Sequence, residues 1–171
     1  MITTSVLICM TVFSIDMRNA DVICDHAHII EEMSETYDLD PSLIIAVGRI
    51  ESAWTPTAKS PANACGIMQV LPKYSKKFGN KGRNLTCKEL KNPETSIRVG
   101  TKILSYWLHK YAKGNETTAL CGYNAGFRCK GDNKNKQGLK YAKAVLKYRK
   151  YFKRKMRIQK RKYKNEMFAN H

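Results

Sequence analysis

Metal-ligand spacing, phosphate-binding loops and long apolar spans are all missing from this 171-residue chain. Its four histidines include no H-E-x-x-H pair, and its six cysteines form no C-x-x-C pair. A zinc site of the common kinds is therefore not expected. His26 and His28 lie two apart on a predicted helix and point to different sides, as solvated residues do. No Walker glycine loop or G-x-G-x-x-G turn occurs, which argues against nucleotide and dinucleotide chemistry. Ser52 is not in a G-x-S-x-G elbow. Strand-like alternation is scarce. Acids run short as well: from Arg128 to Lys164 there are 17 lysines or arginines against one acid, Asp132.

That last shortage locates the charge. The chain carries +17 in all, yet outside Arg128–Lys164 it is nearly neutral. A polycationic end attracts polyanions, whether nucleic acid, acidic lipid headgroups or anionic wall polymers. No nucleic-acid recognition motif accompanies the charge, so that partner is not expected. The composition is otherwise that of one ordinary globular domain, 43% hydrophobic. The cysteines (Cys9, Cys24, Cys65, Cys87, Cys121 and Cys129) read as export with one or two disulfides, against the alternative of buried reduced thiols. Their pairing is not assigned by sequence.

The first twenty residues hold an apolar stretch from Val6 to Ile15, too short to span a bilayer and of the length of a signal core. A basic start is missing, and Arg18 sits badly before a cut after Ala20. We expect residues 1–20 to be an imperfect signal peptide or retained anchor rather than a core segment. Removal would leave five cysteines, an odd number.

Helical spacing governs the rest. Asp25 is expected to cap a helix with Ile29, Ile30, Met33 and Tyr37 on one face. Asp40 and Pro41 open the next, with Leu43, Val47 and Ile50 inward and Glu51 at the core's edge. Thr86–Glu89 has the form of a capping box. Asn92-Pro93 starts what reads as the longest helix, through Ile97, Leu104, Leu108 and Tyr111. A helix near Thr117–Cys121 leads into "GYNAG". A loop is expected from Arg128 to Gly138, then a last helix from Leu139 that dissolves into basic residues after Phe152. The expected architecture is mainly α, with residues 21–152 as the domain and 153–171 as a basic tail.

Four motifs then occur in order: Glu51-Ser52 with Ser60-Pro61, Gly66-Ile67-Met68-Gln69, Asn92-Pro93, and Tyr123-Asn124-Ala125-Gly126, followed by Tyr141. Over Ile29–Phe152 this resembles the soluble lytic transglycosylase domain, an all-helical, goose-type-lysozyme-like fold. The resemblance implies a monomeric, cofactor-free enzyme that cleaves peptidoglycan strands between N-acetylmuramic acid and N-acetylglucosamine. Glu51 is the implied catalytic acid. It protonates the glycosidic oxygen, the muramic C6 hydroxyl attacks C1, and a 1,6-anhydro end forms without water. No second carboxylate is needed, unlike the usual glycosidase pair.

A general acid must keep its proton near neutral pH, which burial against apolar groups can arrange. Read alone, Glu51 is an ordinary helix-end acid; the motifs change that reading. The resemblance also implies that Ser60 contacts the reacting sugar, that Gln69 bonds its polar groups, and that Tyr123 orients the acid or the acetamido group. Met68 reads equally as cleft wall or core, Asn124 as sugar ligand or turn cap, and Tyr141 as sugar floor or core. Trp54 is a candidate stacking residue; Trp107 is assigned to the core. Gly122 stands where the family often has alanine. Cys65 stands where a small residue is usual, as a disulfide beside the cleft would explain. Such an enzyme is exported, serving a secretion or conjugation machine or a phage. A hydrolytic muramidase and an inert polyanion-binding module are the alternatives. For the tail we expect adhesion to an anionic envelope polymer or membrane surface.

Overall fold

The structure is a computed structural model that describes residues 2–79, 82–129 and 135–169. Its elements are α1 (Thr4–Ser14), α2 (Ala20–Asp25), α3 (Ala27–Thr36), α4 (Pro41–Ser52), α5 (Cys87–Leu90), α6 (Pro93–Ser105), α7 (Glu116–Ala125) and α8 (Lys136–Ala169). A 3-10 turn at Pro72–Lys77 precedes α5, and α6 runs on into a π-helical stretch at Tyr106–Tyr111. The described residues contain no strand, only two isolated bridges, Lys59 with Cys65 and Cys65 with Val70.

Local chemistry sets the helix starts as expected. Asp40 accepts from Ser42 N at 2.9 Å with Pro41 at the first turn, and Asn92 accepts from Thr95 N at 2.9 Å. Thr86 and Glu89 form the reciprocal capping box. Asp25 does not cap α3. It ends α2, and His26 intervenes. Leu43 and Val47 are buried, but Ile50, expected inward with them, is 37% exposed.

Two features of the ends stand beside those expectations. The first concerns α1, whose Ile8 and Val12 are fully buried. It packs against α2, α3 and α8, and Cys9 is bonded to Cys24. The Glu31 carboxylate accepts from Thr4 N and Ser5 N at 2.8 and 3.1 Å, meeting orphan donors at the helix start. Residues expected as a removable segment are thus packed into the domain. Their apolar run looks the same whether lipid, a leader pathway or a core receives it.

The second is α8, the longest helix, which crosses residue 152 unbroken and reaches Ala169. Its start at Lys136 lies three residues before the expected one. The expected loop from Arg128 lies partly outside the described residues. Between Leu139 and Ala169 there is no glycine or proline, and lysine and arginine are good helix formers. A high basic content therefore does not dissolve the helix.

α8 packs mainly on α7 and α4, and also meets α1. Its middle is tied to the starts of α4 and α7. Arg149 contacts Asp40 at 3.2 Å and also Glu116, and Lys153 binds Asp40. Burial pushes Asp40 up, but hydrogen bonds from Lys153 and Ser42 and the charge of Arg149 outweigh it and hold its pKa at about 2. A depressed carboxylate adds stability above its unfolded pKa that disappears as pH falls through the folded value. We expect Asp40→Asn to cost roughly 1–2 kcal/mol at pH 7 once solvent screening is allowed for. That difference should shrink between about pH 4 and pH 2. Urea melts of both proteins across that range check it.

Candidate active site

Glu51 lies on the last turn of α4. The turn after it has two non-glycine residues in left-handed backbone, Ala53 (φ 50°) and Trp54 (φ 62°). Trp54 swings back under the helix, fully buried, and donates to Ile45 O at 3.1 Å. Trp54 is therefore a core residue and offers no surface to a sugar, contrary to expectation. Ser52 donates to Ile67 O at 2.9 Å and receives Thr55 N at 3.2 Å, joining the end of α4 to the loop that faces it.

That loop, Cys65–Val70, is built by several constraints at once. Cys65 is bonded to Cys87, the first residue of α5. Gly66 has φ +78°, and a Cβ there would lie 1.9 Å from Leu90 O. Met68 N donates to Ser96 Oγ at 3.0 Å. The Met68 side chain is fully buried on α6, where a Cβ at Gly100 would come within 2.3 Å of it. Met68 is thus core and not cleft wall; its contribution to the site is its carbonyl, which accepts from Tyr123 Oη at 2.8 Å.

The acid faces two tyrosines. Tyr123 comes from α7 and Tyr141 from α8, and burial together with the Glu51 charge raises both hydroxyl pKa values well above normal. Glu51 is partly exposed as a residue, while protein atoms crowd its carboxyl. Burial raises its pKa to about 7; Tyr141 opposes the rise, and no carboxylate contributes among the described residues. Tyr141 approaches closely enough to be felt electrostatically, yet its hydroxyl makes no hydrogen bond of ordinary geometry among the described residues. The result is an acid poised near neutrality without the help of a second acid.

The remaining candidates are placed less directly. Gln69, at φ 47°, donates from Nε2 to Gly66 O at 2.9 Å, so its side chain folds on its own loop. Ser60 turns the preceding loop, accepting from Ala64 N at 3.1 Å. Asn124 is exposed on the last turn of α7. The unusual Gly122 has a steric reason: a Cβ there would lie 2.3 Å from the Trp107 ring, which packs in the core as expected. Sequence reading missed Ser96, whose hydroxyl bonds Met68 N; nothing distinguishes it from other helical serines.

All six cysteines pair, as Cys9–Cys24, Cys65–Cys87 and Cys121–Cys129. The expectation of one or two bonds was short by one because Cys9 was set aside with the N-terminal segment. Among the described residues no group of His, Cys, Asp or Glu is arranged to hold a metal, and no helix is long and apolar enough to cross a membrane.

A helical, lysozyme-like domain with one buried acid between two tyrosines is the class that the fold and site define. Comparison with known proteins agrees. The transglycosylase SLT domain matches residues 28–146, and the chain belongs to that family. The soluble lytic murein transglycosylase of Salmonella typhimurium is 36% identical over 92 residues, 52% of this chain and 14% of that protein. The membrane-bound lytic murein transglycosylase C of Glaesserella parasuis is 33% identical over 108 residues, 57% of this chain and 30% of that protein. The chain therefore spans less than a third of the length of these relatives.

Among solved structures, an inactive mutant of the lytic transglycosylase Slt from Pseudomonas aeruginosa superposes with a TM-score of 0.69 at 22% identity, covering 90% of this chain and 30% of that one. A 70-kDa soluble lytic transglycosylase in complex with bulgecin A gives 0.67 at 21%, covering 91% of this chain and 31% of that one. These two likenesses concern the fold.

Proposed function

We propose that this domain is a lytic transglycosylase that cuts the β-1,4 bond between N-acetylmuramic acid and N-acetylglucosamine in peptidoglycan. The observation that carries the reading is Glu51, with its pKa raised to about 7 by burial and no carboxylate contributing to it among the described residues. Glycosidases that work by two carboxylates need the second within about 5–9.5 Å of the first.

The protonated carboxyl of Glu51 gives its proton to the glycosidic oxygen as the bond from C1 to that oxygen breaks. The C6 hydroxyl oxygen of the same sugar bonds to C1, and its proton passes to the Glu51 carboxylate. The acid is thereby restored, and no water is consumed. Tyr123, held by the Met68 carbonyl, and Tyr141 keep the carboxyl in place and line the reacting side. Ser60 and Gln69 on the loops after α4, and Asn124 on the last turn of α7, are the candidate sugar ligands.

Three disulfides suit an oxidising compartment, so we place the enzyme outside the cytoplasmic membrane. There it acts as a monomer that opens wall locally for a secretion or conjugation machine or a phage. Mass spectrometry of digested peptidoglycan tests the reaction. The expected muropeptides carry anhydro ends, lighter by one water than reducing ends. Reducing ends alone would make the protein a muramidase, and undigested wall would leave a binding module.

A further inference from the structure

We propose that the outer face of α8 is a binding surface for a linear, flexible polyphosphodiester of the cell envelope. Starting at Lys136 and stepping alternately four and three residues to Lys164, the chain meets nine positions. Every one is a lysine or arginine, and every one is exposed. Steps averaging 3.5 residues keep them on one side of the helix, drifting about 20° per heptad. The file is about 42 Å long, at about 1.5 Å per residue, with a charge roughly every 5 Å. Glu166 is the one acid in α8.

The helix sorts its cations. Arg149 and Lys153 turn toward Asp40 and Glu116 and are used in holding α8 to the domain. None of the nine in the file has an ion pair among the described residues. An open groove of about 660 Å³ runs along this face, with Lys147, Lys150, Arg154 and Arg157 in its lining. Tyr141, which approaches Glu51, and the buried Val145 and Phe152 lie on the inner side. The surface is thus separate from the catalytic face.

The geometry discriminates among polyanions. A membrane-surface helix lays an apolar face into the headgroups; here that face is occupied by the domain as far as Met156. Single-stranded nucleic acid binds on aromatic platforms. The groove's lining among the described residues holds one aromatic ring, Tyr151, which packs on Tyr148; a single ring is not the series of platforms that a strand of bases stacks on. What remains is a row of charges fitted to a row of charges. Six of the nine are lysines, compact point charges that bind phosphate without demanding a fixed orientation. With the wall as the enzyme's place of work, as proposed above, the fitting partner is a chain of phosphodiester-linked polyols.

The test is equilibrium binding of the full chain to synthetic poly(glycerol phosphate). This probe has no glycosidic bond, so the result does not depend on whether Glu51 cleaves glycan. If all nine cations engage, the slope of log affinity against log salt is about −6, at about 0.7 per contact on a flexible strand. Replacing Lys147, Lys150, Arg154 and Arg157 together by glutamine should lower affinity at least about tenfold at low salt and reduce the slope to about −3.5. A charge-matched variant with Lys76, Lys88, Lys110 and Lys113 replaced by glutamine should change affinity less than about threefold, because loss of net charge alone acts weakly at a distance. Equal weakening of both variants would overturn the proposal in favour of net charge alone. Tighter binding to anionic phospholipid vesicles, or to a single-stranded oligonucleotide of equal charge, would replace it with a membrane or a nucleic acid. Melting curves verify that both variants fold.

Discussion

Glu51→Gln should reduce release of soluble muropeptides from purified wall by about 10²–10⁴-fold, the range lost when a positioned general acid is removed. Glutamine keeps the shape and cannot give up a proton, so the loss reports chemistry and not packing. The wild-type rate should also fall as pH rises through about 7, because only the protonated acid can start the reaction.

The same substitution has an opposite effect on stability. Below about pH 4.5 Glu51 is neutral in folded and unfolded chains alike. Between 4.5 and 7 the unfolded chain releases its proton while the folded one retains it, and folding is progressively penalised. Above 7 the penalty is complete, up to roughly 3 kcal/mol. Glu51→Gln should therefore raise the melting temperature at pH 8 and leave it nearly unchanged at pH 4. Activity comparable to wild type, or a variant less stable than wild type at pH 8, would remove Glu51 from the role given to it here.

Gly66→Ala is expected to be the most damaging single methyl in the molecule. The new Cβ would lie 1.9 Å from Leu90 O and 2.7 Å from Ser96 Oγ, on a residue whose φ of +78° already disfavours any side chain. The obstacle is backbone, and the Cys65–Cys87 bond beside it limits how far the loop can retreat. A loss of about 3 kcal/mol or more is expected, in the range reserved for backbone strain and core disruption. Activity should fall further than the unfolded fraction accounts for. Ile67 O holds Ser52 and Met68 O holds Tyr123, so a displaced loop moves both supports of the acid. Chemical denaturation with turnover of the folded fraction tests this. A variant with wild-type stability would show that the loop is less constrained than the contacts around Gly66 indicate.

Much of the fold was legible locally. Asp40-Pro41, Thr86–Glu89 and Asn92-Pro93 open helices where their side chains meet nearby amides, interactions spanning two or three residues. What was misread depended on distant partners. Trp54 is buried because the chain reverses after α4 and lays its ring on Gly48 of that helix, and Met68 because Gly100, 32 residues on, leaves room for it. Ser60 and Gln69 turned out to bond their own loops, a use that short motifs do not reveal.

By itself the sequence determined the helical class, the starts of α4, α5 and α6, the acid at the end of α4 and the excess of cations after Arg128, because each rests on composition, spacing or groups a few residues apart. Only the tertiary structure decided that α1 is core, that all six cysteines pair, and that Glu51 holds its proton near pH 7. Those outcomes depend on which surfaces meet. A carboxyl's desolvation is produced by neighbours such as Tyr123 and Tyr141, 72 and 90 residues away along the chain.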